Sequence, residues 1–556
     1  MGPREFRYLR RRSDESTMAR SLVTVLFAAL VLTGSSASRP AADQPAVQAK
    51  PIFFISGRGW GHGLGMSQYG AYGYAQHGWT YDRIIKHYYT GVTIGQAPLK
   101  RVRVLLADGV RNATIASKQA LKVVDADGNA FVLDPGTYKV GTGFKAKDAS
   151  DPTAKPQALT YPIEFRPGSA VVSLNGRAYR GSFRLLKTGS KLRVVNVVDL
   201  DLYLRGVVPS EMPKDWASEA LKAQAVAARS YALSHLHTGG GFDLYPDTRD
   251  QVYLGIPHEA PATTAAVNAT AGQVALYKGK VASTYFFSTS GGRTANVQDI
   301  YPDAAPIPYL VSVVDKYDSI SPYHEWGPYR FSARKLGRAF KSPGRLLDVQ
   351  TVPSSSGRVV TVVATGANGE NEIDGAAVRS KLGLRSTWFR VGVLALDPPT
   401  QPVAYGTATA LPGLARGVGS VELQQTGPDG WKTVAKLTPR GGNVQPKVRL
   451  KASCKFRLAV GDMTTSPVAV AVVRSVRLHV PNDLTGFWGT VRPLAAGIKV
   501  QIQRQSGSAW RFVTSVKTTP NGRFTVARNV APGTYRVRIP AGDGFATTVS
   551  KPLAVS

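Results

Sequence analysis

The sequence predicts an α+β fold that is rich in β-strand, carries helical insertions, and continues into two small all-β modules of Ig-like sandwich size. Three observations support this class: short alternating strands through residues 100–200, one helix with an apolar stripe near residue 225, and a C-terminal repeat. At 556 residues the chain needs several domains, because a single core rarely grows beyond about 250–300 residues.

The β-rich segment is read from short apolar bursts such as Val102-Arg103-Val104-Leu105, in which side chains alternate between two faces. Dipeptides that favour tight turns, including Asp127-Gly128 and Asn175-Gly176, separate these bursts. We expect this segment to form hairpins that serve as scaffold.

The C-terminal repeat has a period of about 80 residues. Its spacing is given by four residues and their counterparts 79 positions later: Val421, Leu423, Trp431 and Val434, then Val500, Ile502, Trp510 and Val513. The repeat predicts one module over residues 398–475 and a second over residues 476–556. Each repeated Trp is predicted to be a core residue, with a sugar-stacking platform as the alternative.

The N-terminus has the pattern of a secretory signal peptide over residues 1–38. A polar, basic start is followed by an apolar run from Leu22 to Leu32 and by small residues. The run is shorter than the roughly 20 residues of a membrane span, so an uncleaved anchor is the minority alternative. Met18 is an alternative start, and residues 39–50 are a linker. The predicted location is secreted and extracytoplasmic.

Composition narrows the class of partner. The net charge is +33, which for a secreted chain indicates anionic wall polymers or lipid headgroups. Nucleic acid is the usual alternative, but no basic segment interleaved with aromatic residues supports it. Hydrophobic residues make up 43% of the chain, which argues against wholesale disorder. The single cysteine, Cys454, excludes an internal disulfide and a multi-cysteine zinc site.

The stretch from Asn196 to Leu233 carries the strongest candidate for chemistry. Glu211 lies between two prolines, Pro209 and Pro213, which predicts a rigid turn, and a helix is predicted from about Ala217. A carboxylate held still near cations suits general acid/base catalysis. The alternative is that Glu211 interacts with the dipole at the N-terminus of the following helix, which contributes about 0.3–1 kcal/mol.

A glycine-rich segment, GRGWGHGLGMSQYG, begins at Gly57. It lacks the spacing of a P-loop and the context of a dinucleotide fold. Alternating glycines allow close backbone approach, so His62 is predicted to be an accessible imidazole. Two short helices are predicted after it, over Ser67–His77 and Thr80–Tyr89.

Several motifs together resemble the SpoIID/LytB family of stage II sporulation protein D and its relatives. They are GVVPSEMP with ALKAQAVAARSYAL, then DTRDQVYLG, TYFFSTSGGRTAN and LGLRSTWF, and the glycine-rich segment itself. The resemblance spans roughly residues 57–395 and predicts a helical segment over residues 51–95 and a family domain over residues 96–397. The glycine-rich motif follows LRS-x-x-F in the sporulation relatives and precedes it here, which is interpreted as a circular permutation.

The resemblance implies a secreted enzyme that acts on peptidoglycan glycan strands as a lytic transglycosylase. The alternative it implies is a non-catalytic wall-binding protein that enhances a cell-wall amidase. A pure adhesin or wall scaffold is a third class. Glu211 matches the catalytic acid/base of the family. Lys222 and Arg229 match basic residues of the following helix, where they would hold substrate acyl groups or adjust the pKa of Glu211.

Further groove residues are proposed at His62, Tyr285, Ser290 and Arg293. The hydroxyls and glycines around Ser290 would offer donors to sugar hydroxyl and N-acetyl groups, although an ordinary turn has the same composition. No HExxH or CxxC motif occurs, and Pro246, Arg249 and Asp250 stand where zinc ligands occur in some relatives, so neither metal nor cofactor is predicted. His235 and His237 are expected to face solvent.

Overall fold

The computed structural model of the chain describes residues 50–168 and 170–556. Most of the regular structure is strand, which confirms the predicted β-rich class. The predicted signal peptide and nearly all of the predicted linker lie outside the described residues.

Two sheets built from residues 101–199 form the predicted hairpin scaffold. The six-stranded sheet has the order Arg101–Val110, Lys191–Asp199, Ser182–Thr188, Ile163–Arg166, Leu121–Val124 and Ala130–Leu133, and the four-stranded sheet has the order Arg177–Tyr179, Val172–Leu174, Asn112–Ser117 and Gly136–Gly141. Asn175 and Gly176 both have positive φ, 50° and 83°, as a two-residue hairpin turn of this type requires.

Eight α-helices lie within the described part of the chain. In chain order they are α1 (Gln68–Gln76), α2 (Tyr81–Tyr88), α3 (Leu200–Glu211), α4 (Ser218–Ser234), α5 (Pro261–Ala269), α6 (Val297–Ile300), α7 (Ala333–Phe340) and α8 (Gly375–Leu382). Short 3-10 turns cover Ile256–His258 and Asp318–Ile320. The first two helices match their predicted positions within three residues at either end, and α4 begins one residue after the predicted start.

Helix α4 is buried in the main hydrophobic core, and the predicted stripe of Leu221, Ala225, Ala228 and Ala232 is inaccessible or nearly so. Burial extends further around this helix, because Ala223, Val226 and Ala227 are also inaccessible. Its alanines let helices and the strand Gln273–Tyr277 pack closely around it. The element that follows Glu211 is therefore rigidly held.

The glycine-rich segment begins as the strand Ile52–Arg58, which pairs antiparallel with both Phe389–Leu396 and Glu325–Phe331. Beyond the strand, the backbone N–H of Gly61 donates to the Arg385 carbonyl, at 3.0 Å. The segment thus lies beside the LRSTWF stretch, although more than 300 residues separate them. This placement is the one that the permutation interpretation requires.

The same sheet continues into the predicted first C-terminal module. Its order is Glu325–Phe331, Ile52–Arg58, Phe389–Leu396, Gly413–Arg416 and Asn443–Val444. One hydrophobic cluster joins Ile52, Phe54 and Leu394 to Phe456 and Leu458. Residues on both sides of position 398 therefore share a sheet and a core.

Smaller sheets complete the N-terminal two-thirds of the chain. They are Lys280–Val281, Gln273–Tyr277 and Thr93–Gln96; Leu346–Pro353, Val359–Gly366 and Gly369–Asp374; Lys145–Ala146 with Gln157–Ala158; and the parallel pair Met66–Ser67 with Phe286–Phe287.

The two C-terminal modules are all-β, and the repeat is visible in their strand pairing. Module one contains Val403–Ala404 with Val472–Val473, Ala408–Ala410 with Lys447–Arg449, and Gly430–Leu437, Val421–Gly427, Cys454–Val460, Met463–Thr464 and Val468–Val470. Module two contains Ser475–His479, Gly486–Arg492 and Arg523–Ala527, facing Ala509–Lys517, Lys499–Ser506, Gly533–Ile539, Thr548–Val549 and Leu553–Val555 over one core.

The repeated tryptophans do not belong to these cores, so that prediction is wrong. Trp431 and Trp510 are half-buried, and an arginine lies over each ring: Arg457 at 4.3 Å and Arg536 at 4.1 Å. The core positions are filled by other members of the repeat, Val421 and Phe456 in the first module and Val500 and Tyr535 in the second.

None of the helices within residues 50–168 and 170–556 combines the length and the hydropathy needed to span a bilayer.

Candidate functional site

Glu211 is the last residue of α3, so the turn predicted around it is helical on its N-terminal side. Pro209 has no N–H to continue the helical hydrogen bonds and weakens the last turn. Pro213 forces the residue before it out of helical conformation, and Met212 is extended with φ −131° and ψ 138°. Pro209 is thus accommodated inside the last turn of α3, and Pro213 ends the helix directly after Glu211.

The contacts of Glu211 come from two distant parts of the chain. Its Oε1 accepts a hydrogen bond from the backbone N–H of Val252 at 3.4 Å, in the DTRDQVYLG loop. Its carbonyl oxygen accepts from Nε2 of Gln68, at 3.0 Å, at the start of α1. The side chain is half-buried and keeps access to solvent.

Glu211 does not lie in the first turn of the next helix, α4. Six residues separate Glu211 from the first residue of α4, and the acidic residue in the first turn of α4 is Glu219. Glu211 instead occupies a C-terminal helix end, where the helix dipole disfavours negative charge.

Lys222 and Arg229 lie on the same helix in different surroundings. Lys222 is partly exposed, and its Nζ contacts Glu219 at 2.6 Å. The Arg229 side chain is inaccessible, forms an ion pair with Asp201 of α3, and donates to the carbonyl of Gln273 at 2.9 Å. Burial in this position argues against a direct contact between Arg229 and substrate, and indicates that it joins α3, α4 and the strand Gln273–Tyr277.

His62 is held by backbone groups on both sides of its ring, which corrects the prediction of an accessible imidazole. Nδ1 accepts from the N–H of Leu64 at 3.0 Å, so Nε2 carries the proton and donates to the carbonyl of Phe286 at 3.1 Å. Desolvation, followed by the charges of Arg379 and Arg358, lowers the pKa of His62 to about 3. The ring is neutral at physiological pH and lines a small cavity with Arg379 and other residues.

Tyr285 joins two histidine environments. Its hydroxyl lies 3.2 Å from Nε2 of His235, and its ring makes an edge contact with His62, with centroids 6.1 Å apart. His235 stacks on Tyr231 at 3.9 Å, and Nε2 of His237 lies 2.9 Å from a carboxylate oxygen of Asp250. Both histidines are half-buried, so the expectation that they face solvent is wrong.

The loop around Ser290 uses its donors within the protein. The backbone N–H groups of Ser290 and Gly291 both donate to Asp318, each at 2.8 Å, and the Ser290 side chain is inaccessible. These donors cannot also serve a sugar in this arrangement. Arg293 is half-buried, and its backbone pairs with Val314.

A buried acidic pair below this loop was not identified from the sequence. Asp315 and Asp318 are inaccessible or nearly so, and Asp318 also accepts from the hydroxyl of Ser67 at 2.9 Å. Desolvation, followed by the charge of Asp318, raises the pKa of Asp315 to about 7. The only sequence signal is the spacing in VVDKYD, which is common among surface turns.

A group of aromatic residues near Glu211 also could not be identified from the sequence. Trp216 follows Glu211 by five positions, and it contacts Tyr69 and Tyr72 of α1. The sequence places Tyr69 and Tyr72 more than 140 positions from Trp216, so only the packing of α1 against the turn reveals the group.

Among the described residues, no group of three or more His, Cys, Asp or Glu side chains is arranged to hold a metal ion. The lone cysteine, Cys454, is partly buried in the first C-terminal module.

Similarity searches agree with the motifs. The SpoIID family model, described as stage II sporulation protein, matches residues 188–277, which contain both α3 and α4. An uncharacterized protein of Brachyspira hyodysenteriae is 40% identical over 200 residues, covering 35% of this chain and 48% of that protein. The amidase enhancer of Bacillus subtilis is 32% identical over 191 residues, covering 34% of this chain and 26% of its own length.

Solved structures with similar parts include a two-domain fibronectin type III segment of chicken tenascin and a titin Ig tandem. Both are 12% identical and cover 29% of this chain; the matches cover 95% and 94% of those chains, with TM-scores of 0.20 and 0.15.

The chain spans about half the length of the Brachyspira relative and about a quarter of the amidase enhancer. Stage II sporulation protein D of Bacillus amyloliquefaciens is matched more fully, with 32% identity over 283 residues, 47% of this chain and 73% of that protein. With this coverage and the motifs around Glu211, the chain belongs to the SpoIID/LytB family.

Proposed function

We propose that the chain is a lytic transglycosylase that cleaves peptidoglycan glycan strands between MurNAc and GlcNAc, with Glu211 as its acid/base. The observation that carries this proposal is a half-buried glutamate at a helix end bounded by two prolines, within the segment that matches the family model. Such a group is positioned by backbone rather than by flexible partners.

The reaction needs a single proton-carrying group. Protonated Glu211 donates its proton to the glycosidic oxygen as the bond from C1 of MurNAc to that oxygen breaks and positive charge develops at C1. The same carboxylate then accepts the proton of the 6-hydroxyl as its oxygen bonds to C1, which closes a 1,6-anhydro ring. Attack from within the sugar needs no activated water, so one carboxylate replaces the usual pair.

One backbone donor beside Glu211 suits the second step. The N–H of Val252 faces Oε1 and stabilises the carboxylate that forms after proton donation.

The other predicted site residues form two groups, which differ in whether the residue keeps some exposure to solvent. Lys222, Tyr285 and Arg293 retain some exposure and are proposed to contact the glycan or its acyl groups. Arg229, His62 and Ser290 are proposed to act as positioning residues, because their polar atoms are used within the protein.

The proposal includes a location and an organisation. The chain is proposed to be exported by residues 1–38, with a family domain up to residue 397 and modules over 398–475 and 476–556. A net charge of +33 supports attraction to anionic wall polymers.

The test is digestion of purified peptidoglycan by the wild type and by Glu211→Gln. Glutamine keeps the shape of the side chain and removes its proton transfer, so release of 1,6-anhydro muropeptides should fall by at least a hundredfold. Glu372→Gln, a change at an exposed strand residue, is the control and should leave release unchanged. Full release by Glu211→Gln would refute the proposal.

A second candidate function is stimulation of a cell-wall amidase without catalysis, favoured by the similarity to a protein named amidase enhancer. In that case Glu211→Gln would leave stimulation of a purified wall amidase intact, and the wild type would release no anhydro products. An adhesin or scaffold would give neither effect.

A further inference from the structure

Five aromatic side chains form two groups, the first of which lies at the turn after Glu211; in that group, Tyr72 and Trp216 also pack against a small hydrophobic cluster around Met212 and Leu221. Trp216 stacks on Tyr72 with ring centroids 4.6 Å apart and planes 10° apart, and it meets Tyr69 at 4.7 Å. In the second group, Trp60 meets Tyr323 edge to face at 4.6 Å. All five rings are half-buried, so each one keeps exposed surface.

The two groups are joined through one short segment of backbone. The N–H of Tyr69 donates to the carbonyl of Ser288 at 3.0 Å, and the N–H of Trp60 donates to the carbonyl of Thr289 at 2.8 Å. Because Ser288 and Thr289 are consecutive, one short segment of backbone holds both Tyr69 and Trp60. Tyr323 is also close enough to Tyr69 to interact with it electrostatically.

The first group is attached to the candidate catalytic residue. Gln68, which precedes Tyr69, donates to the Glu211 carbonyl, and Trp216 lies on the turn that Glu211 begins. The N–H of Trp216 donates back to the carbonyl of Pro213 at 3.3 Å, which fixes that turn. The rings therefore extend from Glu211 onto the glycine-rich segment.

The chemistry of this surface favours a saccharide. Its members are tyrosines and tryptophans, which combine an apolar face with a hydrogen-bonding group, and sugars present the same combination of C–H faces and hydroxyls. Arg385 lies 4.4 Å from the Tyr323 ring centroid and 5.2 Å from that of Trp60, and it adds a charged donor at the far end.

We propose that Trp60, Tyr69, Tyr72, Trp216 and Tyr323 form a saccharide-binding surface that holds the glycan strand on one side of Glu211. This assignment rests on the proposed function of Glu211. It gives the glycine-rich segment a role in binding through its aromatic residues, while His62 remains a positioning residue.

The test separates binding from catalysis by using the Glu211→Gln protein throughout. The probes are a soluble tetrasaccharide of β-1,4-linked N-acetylglucosamine, measured by calorimetry, and insoluble purified peptidoglycan, measured by co-sedimentation. Added Trp60→Ala and Tyr69→Ala should each weaken binding about fivefold or more. Tyr138→Ala, a half-buried tyrosine in the scaffold strand Gly136–Gly141, is the control and should bind as tightly as its parent.

A second measurement tests the proposal even if the alanine variants fail to fold. Trp60→Phe combined with Trp216→Phe keeps both rings in place, so saccharide binding should persist while the saccharide-induced change in tryptophan fluorescence is largely lost. Unchanged affinity in both alanine variants, or an undiminished fluorescence change in the double variant, would overturn the proposal. Binding that depends on these rings, together with no release of anhydro products by the wild type, would uphold the surface and reject the catalytic role of Glu211.

Discussion

Gly63 lies against the guanidinium of Arg358, which is almost completely buried. A Cβ at position 63 would overlap the guanidinium carbon, and its φ of +97° is unfavourable for any residue with a side chain. Gly63, next to His62, therefore allows close packing against Arg358. The sequence prediction had the backbone here approach a ligand, whereas it approaches this buried arginine.

Gly63→Ala should destabilise the protein by more than about 2 kcal/mol, because strain and steric overlap add. Gly78→Ala is the matched control: its φ is +78°, and no heavy atom lies within 4 Å of the added Cβ. The control should cost only about 1 kcal/mol. Denaturant unfolding measures both, and equal costs would contradict the packing against Arg358.

Asp315 should make stability depend on pH. Its pKa is raised to about 7 in the folded chain from an ordinary value of 3.8, so the folded state binds more protons between these pH values. The free energy of unfolding should therefore fall as pH rises from about 4 to 7. Asp315→Asn should reduce this fall, as measured by unfolding at pH 5 and pH 7.5. An identical fall in the variant would show that Asp315 does not hold its proton.

At the scale of elements, α3 and α4 are joined by a buried ion pair. Arg229 of α4 bonds to Asp201 of α3 through Nε, at 2.8 Å, and the Arg229 side chain is inaccessible. Removing the Arg229 side chain would take the buried donor away from the Asp201 carboxylate and from the carbonyls of Gln273 and Val267. The pair therefore fixes the relative position of the helix that carries Glu211.

Arg229→Ala should cost roughly 3–5 kcal/mol of stability, measured by denaturant unfolding. Lys222→Ala, seven positions earlier on the same helix, breaks a partly exposed pair and should cost less than about 1 kcal/mol. A small loss in Arg229→Ala with a large loss of glycan affinity would instead support the direct substrate contact that the resemblance implied.

Pro213 should control the placement of Glu211. Pro213→Ala removes the restriction on Met212 that ends α3, so the helix can continue past Glu211. We expect transglycosylase activity to fall about tenfold or more with a small change in unfolding midpoint. Unchanged activity would show that the proline does not position the carboxylate.

These elements show which parts of the site could be predicted. The period of the Leu221 stripe identified α4, and two prolines identified a special position for Glu211, because both signals are local in sequence. The sequence could not show that Arg229 is buried while Lys222 stays partly exposed. The difference arises because α5 and the strand Gln273–Tyr277 cover Arg229 only. Propensity around Pro209 also favoured a turn, whereas packing extends α3 through that proline.

At the scale of the whole molecule, the C-terminal modules are not independent attachments. Ile52, Phe54, Leu394 and Leu396 are at most 8% exposed, and they pack in one cluster with residues of the first module. Alternation and the 79-residue repeat predicted β structure for residues 398–556, and the described residues there form strands. They could not reveal this shared core, because no local pattern records which face of a strand meets another module.

Removal of residues 398–556 should expose those four side chains, at a cost of about 1.5–3 kcal/mol each when fully exposed. We expect the shortened chain to unfold at a much lower temperature or to aggregate. Removal of residues 476–556 alone should cost less, because it breaks mainly the Arg474–Asp543 pair and the packing of Phe545. Thermal unfolding compares the two shortened chains with the intact chain. Equal midpoints for the intact chain and the chain that lacks residues 398–556 would contradict the shared core.

The most direct test of the central claim is digestion of peptidoglycan in water enriched in heavy oxygen, followed by mass spectrometry of the released fragments. If Glu211 accepts the proton of the MurNAc 6-hydroxyl as the anhydro ring closes, the wild type releases anhydro ends that contain no heavy oxygen. Glu211→Gln then releases almost no anhydro ends. Reducing ends labelled with heavy oxygen, or equal release by both proteins, would contradict the account.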